Sequence, residues 1–361
     1  MTAMPKTICC ASGLMLAATW ATACSGATPS AVSSATAASS SAAASAAPAV
    51  PSTPPAVAVT EDVPYATSPE SSTLPWLPTL MDLYAPQGAK GLPLVVFFHG
   101  KPLDKSAYGP AAEAIARQGA VVAVPNWGVS VSPAGLRAAG ATTPKIAEAW
   151  RQQLDGGACA VDYAVTHAKD FGADPSRLVL AGNSAGANEA SVVGLGEKAA
   201  FPGCLASATA WKAKGLMLWE GDWILADTGY GWDTFQGKLP RLMAVTTPWQ
   251  MLDDAKGLPV VFGVTDTSRQ SMRRCAATET FDWLVWRDPS GELRRTLTDL
   301  GAYQDGCIDT GEGGALMASA MNEKGLNATL LDFTDPGSSH MFLGERDLDL
   351  MAQRTVALAS R

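Results

Sequence analysis

The chain carries Gly182-Asn183-Ser184-Ala185-Gly186, a Gly-x-Ser-x-Gly that directly follows the apolar run Arg177-Leu178-Val179-Leu180-Ala181. A strand turning sharply into a helix at this point would force the serine onto a strained backbone. Its neighbours would have to be nearly free of side chain, and its Oγ would project into solvent. Ser184 is thereby a candidate nucleophile. A serine hydroxyl attacks poorly until a base takes its proton, and histidine is the usual base because its pKa lies near working pH. The chain has three histidines. His167 falls within a helical stretch and reads as part of a helix face. His99 ends a strand whose loop should serve another purpose. His340, in the loop Gly337-Ser338-Ser339-His340 after the last strand-like run, is the candidate base. A carboxylate must then hold the imidazole tautomer and stabilise its cation. Asp266, just past Gly263-Val264-Thr265, is favoured for this role and gives the order Ser, Asp, His. Its rivals are Glu220 and Asp222, which follow the preceding strand and would make a variant arrangement, and Asp335, which reads as a turn residue.

These side chains need a scaffold. Leu92-Pro93-Leu94-Val95-Val96-Phe97-Phe98 is continuously apolar, as expected of a strand buried on both faces in a parallel sheet. Helical spacing follows from Ser106 to Gln118, stopped by Gly119, and then a second buried run from Ala120 to Val124, so the unit reads βαβ. Further strands are expected at Val57–Thr60, Thr79–Tyr84, Gly215–Trp219, Pro259–Val264 and Asn327–Phe333. Helices are expected from Thr143-Pro144, from about Cys159 to Phe171, from Ala185, and near Gly313–Lys324. The fold class is α/β with a mostly parallel central sheet flanked by helices. In such sheets ligands sit beyond the carboxyl ends of the strands, where His99-Gly100, Ser184, Glu220, Asp266 and His340 all fall.

With those strands and loops in place, the chain resembles the α/β-hydrolases of the carboxylesterase and lipase type over about residues 57–345. The resemblance rests on Met81-Asp82-Leu83-Tyr84-Ala85-Pro86, Leu94 to Gly100, Phe171-Gly172-Ala173-Asp174-Pro175-Ser176-Arg177, the elbow through Ala187, and His340. It implies that the amide of Ala185 supplies one donor of an oxyanion hole and that the loop after His99-Gly100 supplies the other. Many members carry a run of glycines there. This chain has Gly100-Lys101-Pro102, and proline has no N–H to give, so Lys101 is the expected donor and Gly100 the second choice. The Lys101 side chain is expected to be solvated.

Two segments exceed the minimal sheet. Residues 222–257 hold Trp223, Tyr230, Trp232, Phe235 and Trp249, a density of aromatics that suits a small cap over the nucleophile, with Trp223, Trp232 and Trp249 touching substrate; core packing is the alternative. Residues 268–311 form an insertion. Of seven cysteines, Cys9 and Cys10 lie in the leader and Cys24 at its end, leaving Cys159, Cys204, Cys275 and Cys307. Four cysteines in an exported domain suggest two disulfides. Cys275 and Cys307 lie near the two ends of the insertion and are expected to staple it. Cys159, taken as the start of a helix on the active-site side, is harder to pair with Cys204, which follows a helix expected to run to the opposite side; geometry could forbid that link, and the pairing is left open.

Residues 1–23, with one early cation and an apolar stretch too short for a comfortable membrane span, read as a secretion signal. Ala21-Thr22-Ala23-Cys24 resembles the lipobox of bacterial lipoproteins, with Ala21 where that pattern prefers Leu, and implies lipidation of Cys24; ordinary cleavage is the alternative. Residues 24–58, nearly all Ser, Ala, Thr, Pro, Gly and Val, form a disordered tether ahead of a hydrolase domain from 59 to 361. A net charge of −8 and the lack of any basic cluster leave nucleic-acid binding without support. The expected protein is a cofactor-free, metal-free serine hydrolase acting on small-molecule or polymer-borne carboxylic esters. It would be exported and held at a bacterial cell envelope by a lipid anchor, or else secreted. The alternatives are a peptidase or amidase on the same fold and a non-catalytic binding lipoprotein.

Overall fold

Strand β3 (Leu92–Phe98) is the middle of the sheet, and its burial explains its composition. Leu94, Val95, Val96 and Phe98 are all fully buried, so both faces of the strand are covered. Alternate residues divide between two cores: Leu94, Val96 and Phe98 belong to one hydrophobic cluster, Val95 and Phe97 to the other. Each such side chain contributes ~1.5–3 kcal/mol by leaving water, which makes the central strands the firmest platform in the molecule.

The computed structural model describes residues 55–67, 77–101, 103–128, 140–195, 204–205, 210–221, 257–266, 274–275, 307–308 and 310–361. Among them, β1 (Val57–Pro64), β2 (Leu80–Pro86), β3, β4 (Val121–Pro125), β5 (Ala173–Asn183), β6 (Gly215–Trp219), β7 (Pro259–Thr265) and β10 (Asn327–Phe333) form one eight-stranded sheet in the order β1-β2-β4-β3-β5-β6-β7-β10. β1 and β2 pair antiparallel with each other, and β2 is antiparallel to β4; the remaining pairs are parallel. Helices α2 (Thr143–Thr166), α3 (Ala185–Leu195) and α4 (Thr310–Glu323) contribute to the first core, α1 (Gly109–Arg117) and α5 (Glu345–Leu358) to the second. The mostly parallel sheet between two helical layers is the α/β class expected from the sequence.

Local chemistry accounts for where the elements differ from expectation. The first helix is preceded by a 3₁₀ turn, Lys105–Tyr108, because Asp104 caps it through the Ser106 amide, and Pro110 then sits in the first turn of α1. β5 begins earlier than its apolar run. Asp174 accepts the Ser176 amide at 2.9 Å in a tight turn, and the pairing with β3 shifts register between Pro93 and Leu94 to absorb it.

The largest correction concerns α2. A single helix runs from Thr143 to Thr166, so Cys159 lies inside it and not at its start. Cys204 pairs by an isolated bridge with Ala66, and its Cα is 5.7 Å from that of Cys159, within disulfide range; the two are bonded. The closed loop of Cys159–Cys204 contains β5, Ser184 and α3. Cys275 and Cys307, the pair expected from sequence, stand directly opposite each other in a short antiparallel ladder of β8 (Arg274–Cys275) and β9 (Cys307–Ile308). The rest of that insertion, the cap segment and residues 1–54, including Cys24 and most of the tether, lie outside the described residues.

Candidate active site

β5 ends at Asn183 and α3 begins at Ala185, leaving Ser184 alone at the turn with φ of 51°. A non-glycine residue in this left-handed region carries roughly 1–3 kcal/mol of strain, held here by the surrounding backbone. The Ser184 amide donates to the Trp219 carbonyl at 2.9 Å, while its own carbonyl accepts from Ala187 at 3.0 Å and Asn188 at 3.2 Å. The flanking glycines are sterically required. A Cβ on Gly182 would lie 2.3 Å from the Gly186 carbonyl oxygen, and one on Gly186 would lie 2.1 Å from that of Phe98.

His340 comes to the elbow from the loop between β10 and α5. Its Nε2 is 2.9 Å from Ser184 Oγ, and its Nδ1 is 3.3 Å from Glu220 Oε2. Carboxylates shape this loop without touching the imidazole. Asp347 accepts the Asp335 amide at 2.7 Å and the Ser338 hydroxyl at 2.6 Å, and Asp335 accepts the amides of Gly337 and Arg346 at 3.1 Å each. Those backbone bonds hold the Asp335 carboxyl below its usual range, as suits a turn residue.

The carboxylate at His340 is therefore Glu220, where Asp266 was favoured. Asp266 is exposed at the start of the segment after β7. Glu220 follows β6 directly, at φ of 57°, with a fully buried side chain. Its amide donates to the Gly263 carbonyl at 2.8 Å and its Oε1 accepts the Thr265 amide, so the tip of β7 turns its backbone onto Glu220. The sequence signal was an acid standing immediately after the wholly apolar Gly215–Trp219 strand. Asp222 lies outside the described residues, as do Trp223, Trp232 and Trp249.

The amides expected to receive an oxyanion stand at the start of α3 and in the loop after β3. Ala185 is the first residue of α3, where amides have no partner within the helix. Gly100, the second choice for the other donor, gives its N–H to the Tyr108 hydroxyl. Pro102 has no N–H to give, and Lys101 stands between the two. The Lys101 side chain is not solvated as expected. Its Nζ stands 4.5 Å from the centre of the Trp127 ring and bonds Gln153 Oε1 of α2. Burial pushes this ammonium down to about 7, against an opposing pull from Glu189. His99 is fully buried, with Nδ1 3.0 Å from the Gly100 carbonyl oxygen, and burial pushes it down to about 4, so it is neutral at pH 7. His167, on the far end of α2, stacks against Tyr163 with ring centres 4.4 Å apart, a helix-surface contact. Among the described residues no three His, Cys, Asp or Glu side chains are grouped to hold a metal ion.

Comparison with known proteins agrees with this architecture. Residues 81–213 match the BD-FAE family model. Among solved structures, the truncated form of a carbohydrate esterase from gut microbiota superposes with a TM-score of 0.54 at 14% identity, covering 84% of this chain and 97% of that one. Esterase B from Lactobacillus rhamnosis superposes with a TM-score of 0.52 at 13% identity, covering 85% of this chain and 87% of the other. No match was found among curated proteins. The fold is that of the α/β-hydrolases, with Ser184, Glu220 and His340 brought together beyond the carboxyl ends of its strands.

Proposed function

We propose that the protein hydrolyses carboxylic esters through an acyl-enzyme. The observation that carries this reading is His340 bridging Ser184 Oγ at 2.9 Å and buried Glu220 at 3.3 Å. Ser184 Oγ attacks the ester carbonyl as His340 Nε2 takes its proton. The C–O bond of the tetrahedral intermediate then breaks, and the alcohol leaves with that proton. Water, deprotonated by the same nitrogen, attacks the acyl-enzyme, and the acid departs as Ser184 recovers its proton. Glu220 fixes the imidazole tautomer and stabilises its cation, while the amides of Ala185 and Lys101 receive the oxyanion. The signal-like leader, the lipobox-like Ala21–Cys24 and the disulfide Cys159–Cys204 support an exported, envelope-anchored enzyme.

The test is turnover of aryl esters of graded acyl length by the purified protein, with an anilide as the amide control. Wild type is expected to cleave esters and take a fluorophosphonate label, and Ser184→Ala to do neither. Absence of turnover and of label in the wild type overturns the proposal; faster cleavage of the anilide than of the matching ester would make the protein an amidase.

A further inference from the structure

We infer that Tyr108 and Asn183 form a positioning bridge that fixes the oxyanion loop, the nucleophile elbow and the His340 loop relative to one another. The inference rests on the roles given above to Ser184 and His340. Asn183, the residue immediately before the nucleophile, is fully buried. Its Nδ2 donates to the His340 carbonyl at 2.8 Å and lies 3.5 Å from the carbonyl of Trp219, the residue before Glu220. Its Oδ1 accepts the Tyr108 hydroxyl at 2.6 Å, and Tyr108 in turn receives the Gly100 amide.

The polarity of this chain is determined by its ends. A main-chain carbonyl only accepts, so the Asn183 amide must turn its nitrogen to His340 and its oxygen to Tyr108. Tyr108 must then donate its proton to Asn183 and accept from Gly100. Burial pushes the phenol well above its ordinary range, so it remains a donor at any pH where the protein would work. The Tyr108 ring is itself confined, with Phe97 at 5.5 Å and His99 at 6.5 Å between ring centres. Gly100 makes room for the bridge. A Cβ there would fall 2.6 Å from Asn183 Oδ1 and 2.7 Å from the Tyr108 hydroxyl. An aspartate at 183 would lose the donor that His340 requires and set an anion against its carbonyl.

Placement matters because displacement of a reacting group by 1 Å costs about a hundredfold in rate. The test uses Tyr108→Phe, which keeps the ring, and Asn183→Leu, which keeps the volume. Each is expected to lower kcat by about ten- to a hundredfold with KM within about twofold. The double variant should be no slower than the slower single, since both break one chain. Fluorophosphonate labelling of Ser184 should slow in proportion. The imidazole NMR signal of His340, assigned through its loss in His340→Gln, should move in both variants while that of half-buried His167, stacked on Tyr163, stays. Unchanged kcat, strictly additive losses, or an unmoved His340 signal would overturn the bridge. A wild type that neither turns over ester nor takes label would overturn the hydrolase reading instead, and the His340 signal, which needs no turnover, would still decide the bridge.

Discussion

The carboxylate of Glu220 is shared between Thr265 and His340: Oε1 accepts the Thr265 amide, and Oε2 faces the imidazole Nδ1 at 3.3 Å. With the Glu220 amide on the Gly263 carbonyl, the tips of β6 and β7 are joined by backbone and side chain together. One oxygen is thereby anchored by the sheet, and the other faces His340.

Glu220→Gln keeps the size of this group and removes its charge, leaving the imidazole free to take the wrong tautomer. The kcat should fall by about a thousandfold to ten-thousandfold. Asp266→Asn, at an exposed position, should stay within about twofold of wild type. Steady-state kinetics of the two variants side by side decides the assignment, and the reverse ranking would restore Asp266.

Stability should fall in mild acid because of His99. The unfolded chain takes up a proton near 6.5, whereas burial delays uptake in the folded state until about 4. The unfolded state therefore binds more protons through this window, and stability is lost as pH drops across it, by about 3 kcal/mol from this residue. Denaturant midpoints between pH 6.5 and 4 should decline less steeply in His99→Gln than in wild type; parallel declines would remove His99 as the cause.

Peptide mapping without reductant should recover Cys159 linked to Cys204. A second linkage, Cys275 to Cys307, is expected from their opposed positions in the β8–β9 ladder. Reduction should lower stability by about 2–5 kcal/mol, with kcat retained below the new melting temperature. Loss of turnover without loss of structure would mean that the bond also shapes the site.

Periodicity made the scaffold legible, because strands buried on both faces, such as β3 and β4, write their environment directly into composition. Ser184 and His340 were legible for a related reason: the elbow has a local steric signature, and only three histidines compete. The acid was not. Glu220 and Asp266 both follow apolar strands, and what separates them is the direction in which the Thr265 backbone points, a property of the folded tips. The Cys159–Cys204 pairing stayed open because one unbroken α2 looked like two helices, which displaced Cys159 by several turns. The role of Asn183 left no trace in spacing, since its partners Tyr108 and His340 lie 75 and 157 residues away.

Ser184 and Glu220 share a left-handed backbone, at φ of 51° and 57°, at the tips of adjacent strands. Asp62 is the other described non-glycine residue with positive φ, so two of these three positions carry the hydroxyl and the carboxylate that flank His340. Glycine at either position would adopt the same backbone without steric penalty, but it would carry no hydroxyl and no carboxylate. Glycine at 220 would also remove the carboxylate oxygen to which the Thr265 amide donates, so at that position backbone preference and hydrogen bonding pull in opposite directions.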